Sequence, residues 1–411
     1  MGTQHRKSDQ LFGYAAFAGI VAAVGIPLYI HLPAFLAEKY GIALDTLGAL
    51  LVAMRLIDFA QDPALGWLMA RFARHRAAIS LIALVCLAVG VVGLFGLAAP
   101  FSPILWVTIF LVLTFTSFSL LTIVIYSEGV EKGGSLGHVR VAIWREAATL
   151  LGITAACILP FVLPGDGYRG FALVFAGVAL VVARSAVRDL GPVRYPSGSL
   201  KDFLSDTTMR RFLLLAFVNA APVAVTSTLF LFFVEYRLEL GHLAGPFLLV
   251  FFLAAALSTP LWKFAAKKND PVRVLVVGMG LSIAGFVWAS LLGPGDGVQF
   301  AIVCISSGFG LGADLLLLPA LFSQHLAERK RDAALAFGFW NFAGKATLAV
   351  SAGIVLPILQ WSGFEVGGTQ TPAAISMLGT LYAVVPSILK GLAILVLLYL
   401  LAPKIRRERQ A

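Results

Sequence analysis

Charged side chains are scarce in this sequence. Aspartate, glutamate, lysine and arginine make up 13% of its 411 residues, against about 25% in soluble proteins. Apolar residues account for 59%, so a single soluble core is excluded. The apolar runs are continuous over about 20 residues, whereas barrel strands alternate in polarity over about 10. The composition therefore predicts an all-α integral membrane protein, because helices satisfy their own backbone hydrogen bonds in a bilayer.

Cysteine and the common enzyme motifs are also lacking. Cys86, Cys157 and Cys304 are isolated in apolar runs, which is typical of small buried side chains. No His-Glu-x-x-His, Gly-x-Ser-x-Gly or clustered Cys/His pattern occurs. The stretch Gly308-Phe-Gly310-Leu-Gly312 lies inside an apolar run without a preceding strand, which favours close helix packing over a nucleotide loop. We therefore expect neither an enzyme nor a bound cofactor.

The net charge of +10 is explained by membrane topology, so we expect no nucleic-acid partner. We predict twelve spans, at 11–36, 42–70, 77–99, 103–127, 141–163, 168–188, 211–236, 243–264, 274–292, 298–322, 334–360 and 374–402. The odd-numbered connections hold only Lys39, Arg169 and Arg237, and the tails and even-numbered connections hold most of the other basic residues. This asymmetry places both termini in the cytoplasm and the chain in the inner membrane.

A linker rich in Gly, Pro and Ser divides the spans into two sets of six. We predict an N-terminal six-helix bundle over 1–190, a cytoplasmic linker over 191–210 and a C-terminal six-helix bundle over 211–411. Trp67 and Trp262 are 195 residues apart, and Trp144 and Trp340 are 196 apart. This common interval favours a duplicated unit with pseudo-symmetric bundles. We expect a monomer in the bilayer.

The second span carries three charges at membrane depth. Arg55, Asp58 and Asp62 stand at i, i+3 and i+7 and share one helix face. Such charges are costly in a bilayer and usually serve function. Two carboxylates one turn apart suit a hard cation, and Pro63 frees the carbonyl of Phe59 beside them. The alternative is a structural Arg55–Asp58 pair, with Asp62 capping a kink.

The segment Arg55-x-x-Asp58-x-x-x-Asp62-Pro63-x-x-Gly66 is similar to the motif of the glycoside–pentoside–hexuronide:cation symporters, the melibiose-permease-like branch of the major facilitator superfamily. The twelve spans and central linker also resemble that superfamily. Its loop signature after the second helix is Gly-x-x-x-Asp-Arg-x-Gly-Arg-Arg. The run from Gly66 to Arg76 keeps the first glycine and the basic residues, but has Ala70 for the acid and Ala73 for the second glycine.

The resemblance implies cation-coupled symport of a small organic solute by alternating access. Asp58 and Asp62 would bind the coupling cation, either Na⁺ (the metal ligands in that case), Li⁺ or a proton. Gln61 holds a position where the family often has a polar side chain, although it points about 100° away from its neighbours. From the fourth span, Thr116 is a candidate for a further cation oxygen.

The resemblance also implies residues for the solute cavity. Arg145, in the run that begins at Arg140, looks like the arginine of the branch's fifth helix, and Lys345 looks like the lysine of its eleventh. A static charge network is the alternative for both. Glu146 is expected to face the cytoplasmic end of its helix. The remaining cavity candidates are Arg55, Asp314, Lys390, Asn341 and Tyr29, and Asp314 has two candidate partners, Lys345 and Lys390.

Two acids that hold sugars in the branch are absent. The position in the first helix falls near Ala22, and the position in the fourth falls within 118–122, where only Ser119 and Thr122 are polar. The solute is therefore left open between a sugar or glycoside derivative and an anionic or lipid-like molecule. A uniporter or exporter of the same fold is the alternative function.

Overall fold

The computed structural model describes residues 2–25, 28, 32–42, 44–164, 166–188, 190, 205–365 and 368–408. Within these residues the chain is helical and has no strand. The helices are α1 (Gly2–Ala22), α2 (Leu32–Tyr40), α3 (Leu44–Arg71), α4 (Arg76–Val91), α5 (Pro103–Leu136), α6 (His138–Val162), α7 (Gly167–Arg188), α8 (Thr207–Phe232), α9 (Ala244–Lys268), α10 (Pro271–Ala289), α11 (Gly297–Glu328), α12 (Ala333–Trp361), α13 (Pro372–Gly379) and α14 (Val385–Glu408). A one-turn π segment, Thr380–Val384, joins α13 to α14.

Eight helices among the described residues are long and apolar enough to cross a membrane, and Leu11–Ala22 and Gly167–Ala183 are shorter apolar helices. Within the first predicted span, 11–36, the described residues include α1 up to Ala22 and α2 from Leu32. Helices α5 and α11 continue to Leu136 and Glu328, beyond their predicted ends. Hydropathy marks where the bilayer ends, whereas a helix continues for as long as its residues favour helical backbone.

Contacts divide the chain into two units. The first contains residues 1–199 together with Ser323–Phe342, and the second contains residues 200–322 and 343–411. Each unit has its own apolar core. The first core includes the buried rings of Phe95 and Phe171, and the second includes Phe233 stacked on Tyr382 at 4.1 Å between ring centroids.

The predicted linker, 191–210, lies largely outside the described residues, and its boundaries remain a prediction. Helix α8 begins before the predicted span, at Thr207. The Asp206 carboxylate caps it by accepting hydrogen bonds from the amides of Thr208 (2.9 Å) and Met209 (3.4 Å), which satisfies donors that the first turn leaves without helical partners.

The glycine-rich stretch of α11 packs closely against its neighbours, as predicted. A Cβ atom on Gly308 would lie 2.4 Å from the carbonyl oxygen of Phe251. On Gly310 it would lie 2.6 Å from the carbonyl oxygen of Gly278. Larger residues at these positions would separate α11 from α9 and α10, so glycine here serves helix packing.

Candidate functional site

Helix α3 has a polar buried face and an apolar exposed face. Asp58 is 3% exposed and Asp62 is 0% exposed. Between residues 53 and 67, the exposed positions among the described side chains are Ala53, Leu56, Ile57, Ala60, Ala64 and Trp67. This pattern reverses that of a soluble helix and matches the predicted common face of the two acids. The side chain of Arg55 lies outside the described residues.

A chain of hydrogen bonds connects α3 to α5 at Asp58. The Ser119 hydroxyl donates to Asp58 Oδ1 at 2.6 Å, and Gln61 Nε2 donates to the same oxygen at 3.4 Å. The Thr116 hydroxyl donates to Gln61 Oε1 at 2.8 Å. Three predicted cation residues, Asp58, Gln61 and Thr116, are thus joined. Gln61 reaches back toward Asp58 despite the 100° separation expected from helix geometry, because its side chain is long enough.

Ser119 is the residue whose contact with Asp58 the sequence did not predict. In the sequence, Ser119 is one of two polar residues within 118–122, where the branch has an acid in its fourth helix. A usable signal was present, because Ser119 follows Thr116 by three positions and therefore shares its face of α5. Carboxylate, amide and hydroxyl oxygens together form the hard donor set that suits an alkali cation or a proton.

Arg145 on α6 is buried at 3% exposure. Its Nε donates to Glu146 Oε1 at 2.8 Å, and its guanidinium lies 4.1 Å from the ring centroid of Tyr126. Glu146 is 5% exposed and pairs with Arg145, so it is not a solvated residue, and its place relative to the cytoplasm stays a prediction. Burial of the guanidinium requires a counter-charge, and the adjacent carboxylate supplies it.

One nitrogen of the Arg145 guanidinium is left without a hydrogen-bond acceptor among the described residues. Arg145 Nη2 is buried and has no hydrogen-bond partner there. A buried unsatisfied donor is costly, so Nη2 is a candidate contact for a solute oxygen. The neighbouring Tyr14 hydroxyl donates to the carbonyl of Ile125 at 3.1 Å.

The partner of Asp314 is Lys390. Lys390 Nζ donates to Asp314 Oδ2, and it also donates to Asn219 Oδ1 at 2.8 Å. The three residues come from α11, α14 and α8, and each is less than a tenth exposed. This settles the choice that the sequence left open between Lys345 and Lys390. Asp314 Oδ1 is buried and has no hydrogen-bond partner among the described residues.

Two further predicted cavity residues lie on α12. Lys345 and Asn341 are partly buried on α12. Asn341 Nδ2 has no hydrogen-bond partner among the described residues. Tyr29 lies outside the described residues.

A second buried charge cluster links α4 to α5. Arg76, which directly follows the ten positions of the loop signature, is 4% exposed. Its Nη1 lies 3.2 Å from Glu128 Oε2, and its Nη2 donates to the Ser127 hydroxyl at 2.8 Å. Lys132 Nζ lies 3.2 Å from Glu128 Oε1. The Glu128 carboxylate therefore pairs with two basic side chains, Arg76 from α4 and Lys132 from its own helix, α5.

Asp332 lies beside this cluster in the connection between α11 and α12. Its Oδ1 accepts a hydrogen bond from the amide of Leu335 at 2.9 Å and so caps α12. Burial raises the pKa of the Asp332 carboxyl, and the backbone hydrogen bonds from Leu335 and Ala334 and the charge of Arg76 oppose that rise.

Two curated relatives match part of the chain. The sodium-dependent lysophosphatidylcholine symporter 1 of Gallus gallus is 27% identical over 190 residues, which is 44% of this chain and 35% of that protein. The multidrug resistance protein MdtL of Salmonella typhi is 30% identical over 144 residues, 34% of each chain. The matched stretches thus span about a third of each relative's length.

Solved structures match the whole fold. The fucose:proton symporter FucP of E. coli superposes with a TM-score of 0.66 at 15% identity, covering 96% of this chain and 98% of that one. At this identity the match shows the fold alone. The predicted fold class, an all-α membrane protein with the 12-helix major facilitator fold, is confirmed.

A family model agrees with the resemblance seen in α3. The family described as MFS/sugar transport protein matches residues 11–402, nearly the entire chain. That family and fold consist of transporters rather than enzymes, and the chain belongs to the major facilitator superfamily, in the MFS/sugar transport protein family.

Proposed function

We propose that this transporter is a symporter, which imports a small organic solute together with Na⁺ or H⁺ by alternating access. The observation that carries the proposal is the buried carboxylate of Asp58, which receives hydrogen bonds from a serine hydroxyl of α5 and an amide of α3. No cofactor beyond the coupling cation is part of this proposal.

A buried carboxylate gains most from a cation that can come and go. Asp58 and Asp62 are desolvated by burial, and a proton or a sodium ion compensates the charge. The hydroxyl groups of Ser119 and Thr116 can rotate to present a lone pair instead of a proton. The Gln61 carbonyl already accepts from Thr116, so these groups supply oxygen ligands beside the two acids.

Arg145 is the proposed anchor of the solute. Its free buried Nη2 is a donor for a hydroxyl, carboxylate or phosphate oxygen. The family description makes a sugar or glycoside derivative the first candidate for the solute. Cavity roles remain proposals for Arg55, Asp314, Lys390, Lys345, Asn341 and Tyr29.

The second candidate function is uniport or export of a non-sugar solute that is anionic or lipid-like. Two observations favour a solute of this class. The two acids that hold sugars in the branch, in its first and fourth helices, are absent here. One relative is named a lysophosphatidylcholine symporter. A guanidinium donor without a neighbouring sugar-binding acid suits a phosphate better than a set of neutral hydroxyls.

We also propose that the protein works as a monomer in the inner membrane, with both termini cytoplasmic. The exposed residues His242 and Lys268 flank α9 on opposite sides of the membrane in this orientation. A membrane-impermeant thiol reagent applied to intact cells should label His242→Cys and leave Lys268→Cys unlabelled. The reverse pattern would show the opposite orientation.

The function is tested by solute uptake into vesicles under an imposed Na⁺ or H⁺ gradient. A panel of sugars, glycosides, organic anions and lysophospholipids identifies the solute on the wild type. Asp58→Asn and Asp62→Asn should each abolish accumulation driven by the gradient. Glu38→Gln changes an exposed acid of the same unit and should accumulate solute like the wild type.

The two candidate functions give different results in this assay. Accumulation that depends on an inward gradient and on both acids supports symport. Downhill flux that is equal in wild type and both variants, with no accumulation, supports uniport and removes the coupling role of Asp58 and Asp62.

A further inference from the structure

The first unit carries an apolar groove between α1, α6 and α7. Its volume is about 500 Å³. It extends along α1 from Phe12 to Ala23 and along α6 from Trp144 to Leu159. Its walls are almost entirely apolar, and both Phe12 (68% exposed) and Leu151 (72% exposed) stand open at its edge. A concave apolar surface of this kind can bury an apolar chain that fits along it.

Small residues create the groove. A Cβ atom on Gly152 would lie 2.0 Å from the carbonyl oxygen of Gly19, so α1 and α6 are in backbone contact at that level. Beside this contact, Ala147 and Ala155 have side chains too short to fill the space that α7 leaves. The groove is therefore a fixed consequence of helix packing.

The length of the groove matches one leaflet of a bilayer. At 1.5 Å per residue, its wall on α1 is about 16 Å long and its wall on α6 about 22 Å. Half of a hydrocarbon core about 30 Å thick is about 15 Å, which is the depth that a lipid acyl chain fills. A sugar or a small polar solute has no chemistry to match such walls.

An exposed basic residue stands at one end of the groove. Arg140 is exposed and precedes Trp144 by one helical turn. At this end Trp144, 36% exposed, is placed as an interfacial aromatic. In the sequence, Arg6 and Lys7 precede Phe12, and Arg184 follows Val182, so the other two segments that form the groove also carry basic residues.

We propose that this groove binds one acyl chain of a phospholipid with an acidic headgroup, held at Arg140, as a resident lipid of the protein. The site is separate from the Asp58 region and does not depend on the proposed symport. The apolar walls select the chain by burial, and the basic end selects the headgroup by charge.

Native mass spectrometry of the protein, equilibrated with equal amounts of phosphatidylglycerol and phosphatidylcholine, tests the proposal. The wild type should retain one phosphatidylglycerol. Ala155→Trp, which fills the groove, should weaken its retention by ~10-fold. Val181→Trp is the matched control, since Val181 is 74% exposed on α7 outside the groove, and it should retain the lipid.

Headgroup selection is tested separately. Arg140→Gln should reduce the preference for phosphatidylglycerol ~5-fold, the loss of one surface cation. Arg273→Gln, an exposed arginine on α10, should leave the preference unchanged. Arg140→Gln keeps the groove intact, so the headgroup test remains informative if Ala155→Trp does not fold.

Three results would overturn the proposal. The first is equal retention of both lipids by the wild type. The second is a fully retained lipid in folded Ala155→Trp. The third is a dimer in the wild type that Ala155→Trp abolishes, which would assign the groove to a second copy of the chain.

Discussion

Buried charges in this transporter are held by specific partners on neighbouring positions or helices. Arg145 pairs with Glu146, Arg76 with Glu128, and Lys390 with Asp314. Taking such charges out of water is costly, and a partner offsets only part of that cost. Removal of one partner should therefore be far more harmful than removal of both.

The Asp314–Lys390 pair is the clearest case at this scale. Asp314→Asn or Lys390→Gln alone leaves an uncompensated buried charge and should destabilise the protein by ~3–5 kcal/mol. The double variant should recover most of the loss, because neither charge remains. Thermal unfolding in detergent measures all three. A double variant no more stable than the singles would contradict a simple ion pair.

Asp332 gives a dependence of stability on pH. The pKa of its carboxyl is raised above the usual 3.8 in the folded protein, so folding favours the protonated acid. That contribution is fully present below about 3.8 and is lost as pH rises through the raised value. Asp332→Asn keeps an N-cap and lacks this titration.

The melting temperature of the wild type, minus that of Asp332→Asn, should therefore fall as pH rises above 3.8. At pH values well above the raised pKa of Asp332, the difference between the two melting temperatures should be constant. A difference that grows with pH would mean that the charged form of Asp332 is favoured on folding.

At the scale of elements, α3 combines two roles. One face buries Asp58 and Asp62, and the next turn of the same face packs against α12 through Gly66. A Cβ atom on Gly338 of α12 would lie 2.7 Å from the carbonyl oxygen of Asp62 and 2.9 Å from Gly66 Cα. The backbone beside the candidate cation site is thus in direct contact with α12.

Gly338→Val should force the two helices apart and lower the free energy of unfolding by ~1–3 kcal/mol. Gly344→Val on the same helix is the matched control, because a Cβ there meets no atom within 4 Å. Both substitutions change helix propensity equally. Thermal unfolding should separate them, and equal melting temperatures would show that the Gly66–Gly338 contact tolerates a side chain.

Residue spacing alone predicted that Asp58 and Asp62 share one face of α3, because helix periodicity fixes which positions lie on the same face. It did not predict the contact between Ser119 and Asp58, which depends on how α5 is rotated against α3. It also missed the pairing of Glu146 with Arg145, because adjacent residues point in different directions and only side-chain conformation brings them together.

At the scale of the whole molecule, composition was sufficient to predict an all-α membrane protein, and the resemblance of the twelve spans and the second-span motif implied the major facilitator fold. An apolar share of 59% and runs of membrane-spanning length permit few architectures, and the major facilitator fold is one of them. In the proposed function, the solute is selected by a few polar atoms such as Arg145 Nη2, and composition carries no information about those. The proposed choice between Na⁺ and H⁺ would likewise depend on a few oxygen atoms around Asp58.

The most direct test of the account is cation binding to the purified protein without solute. Na⁺ binding is followed by calorimetry, and proton uptake is followed with a pH-sensitive dye. The wild type should bind one of these cations saturably, and Asp58→Asn and Asp62→Asn should each abolish that binding while Glu38→Gln retains it. Unchanged binding in both folded aspartate variants would contradict the account.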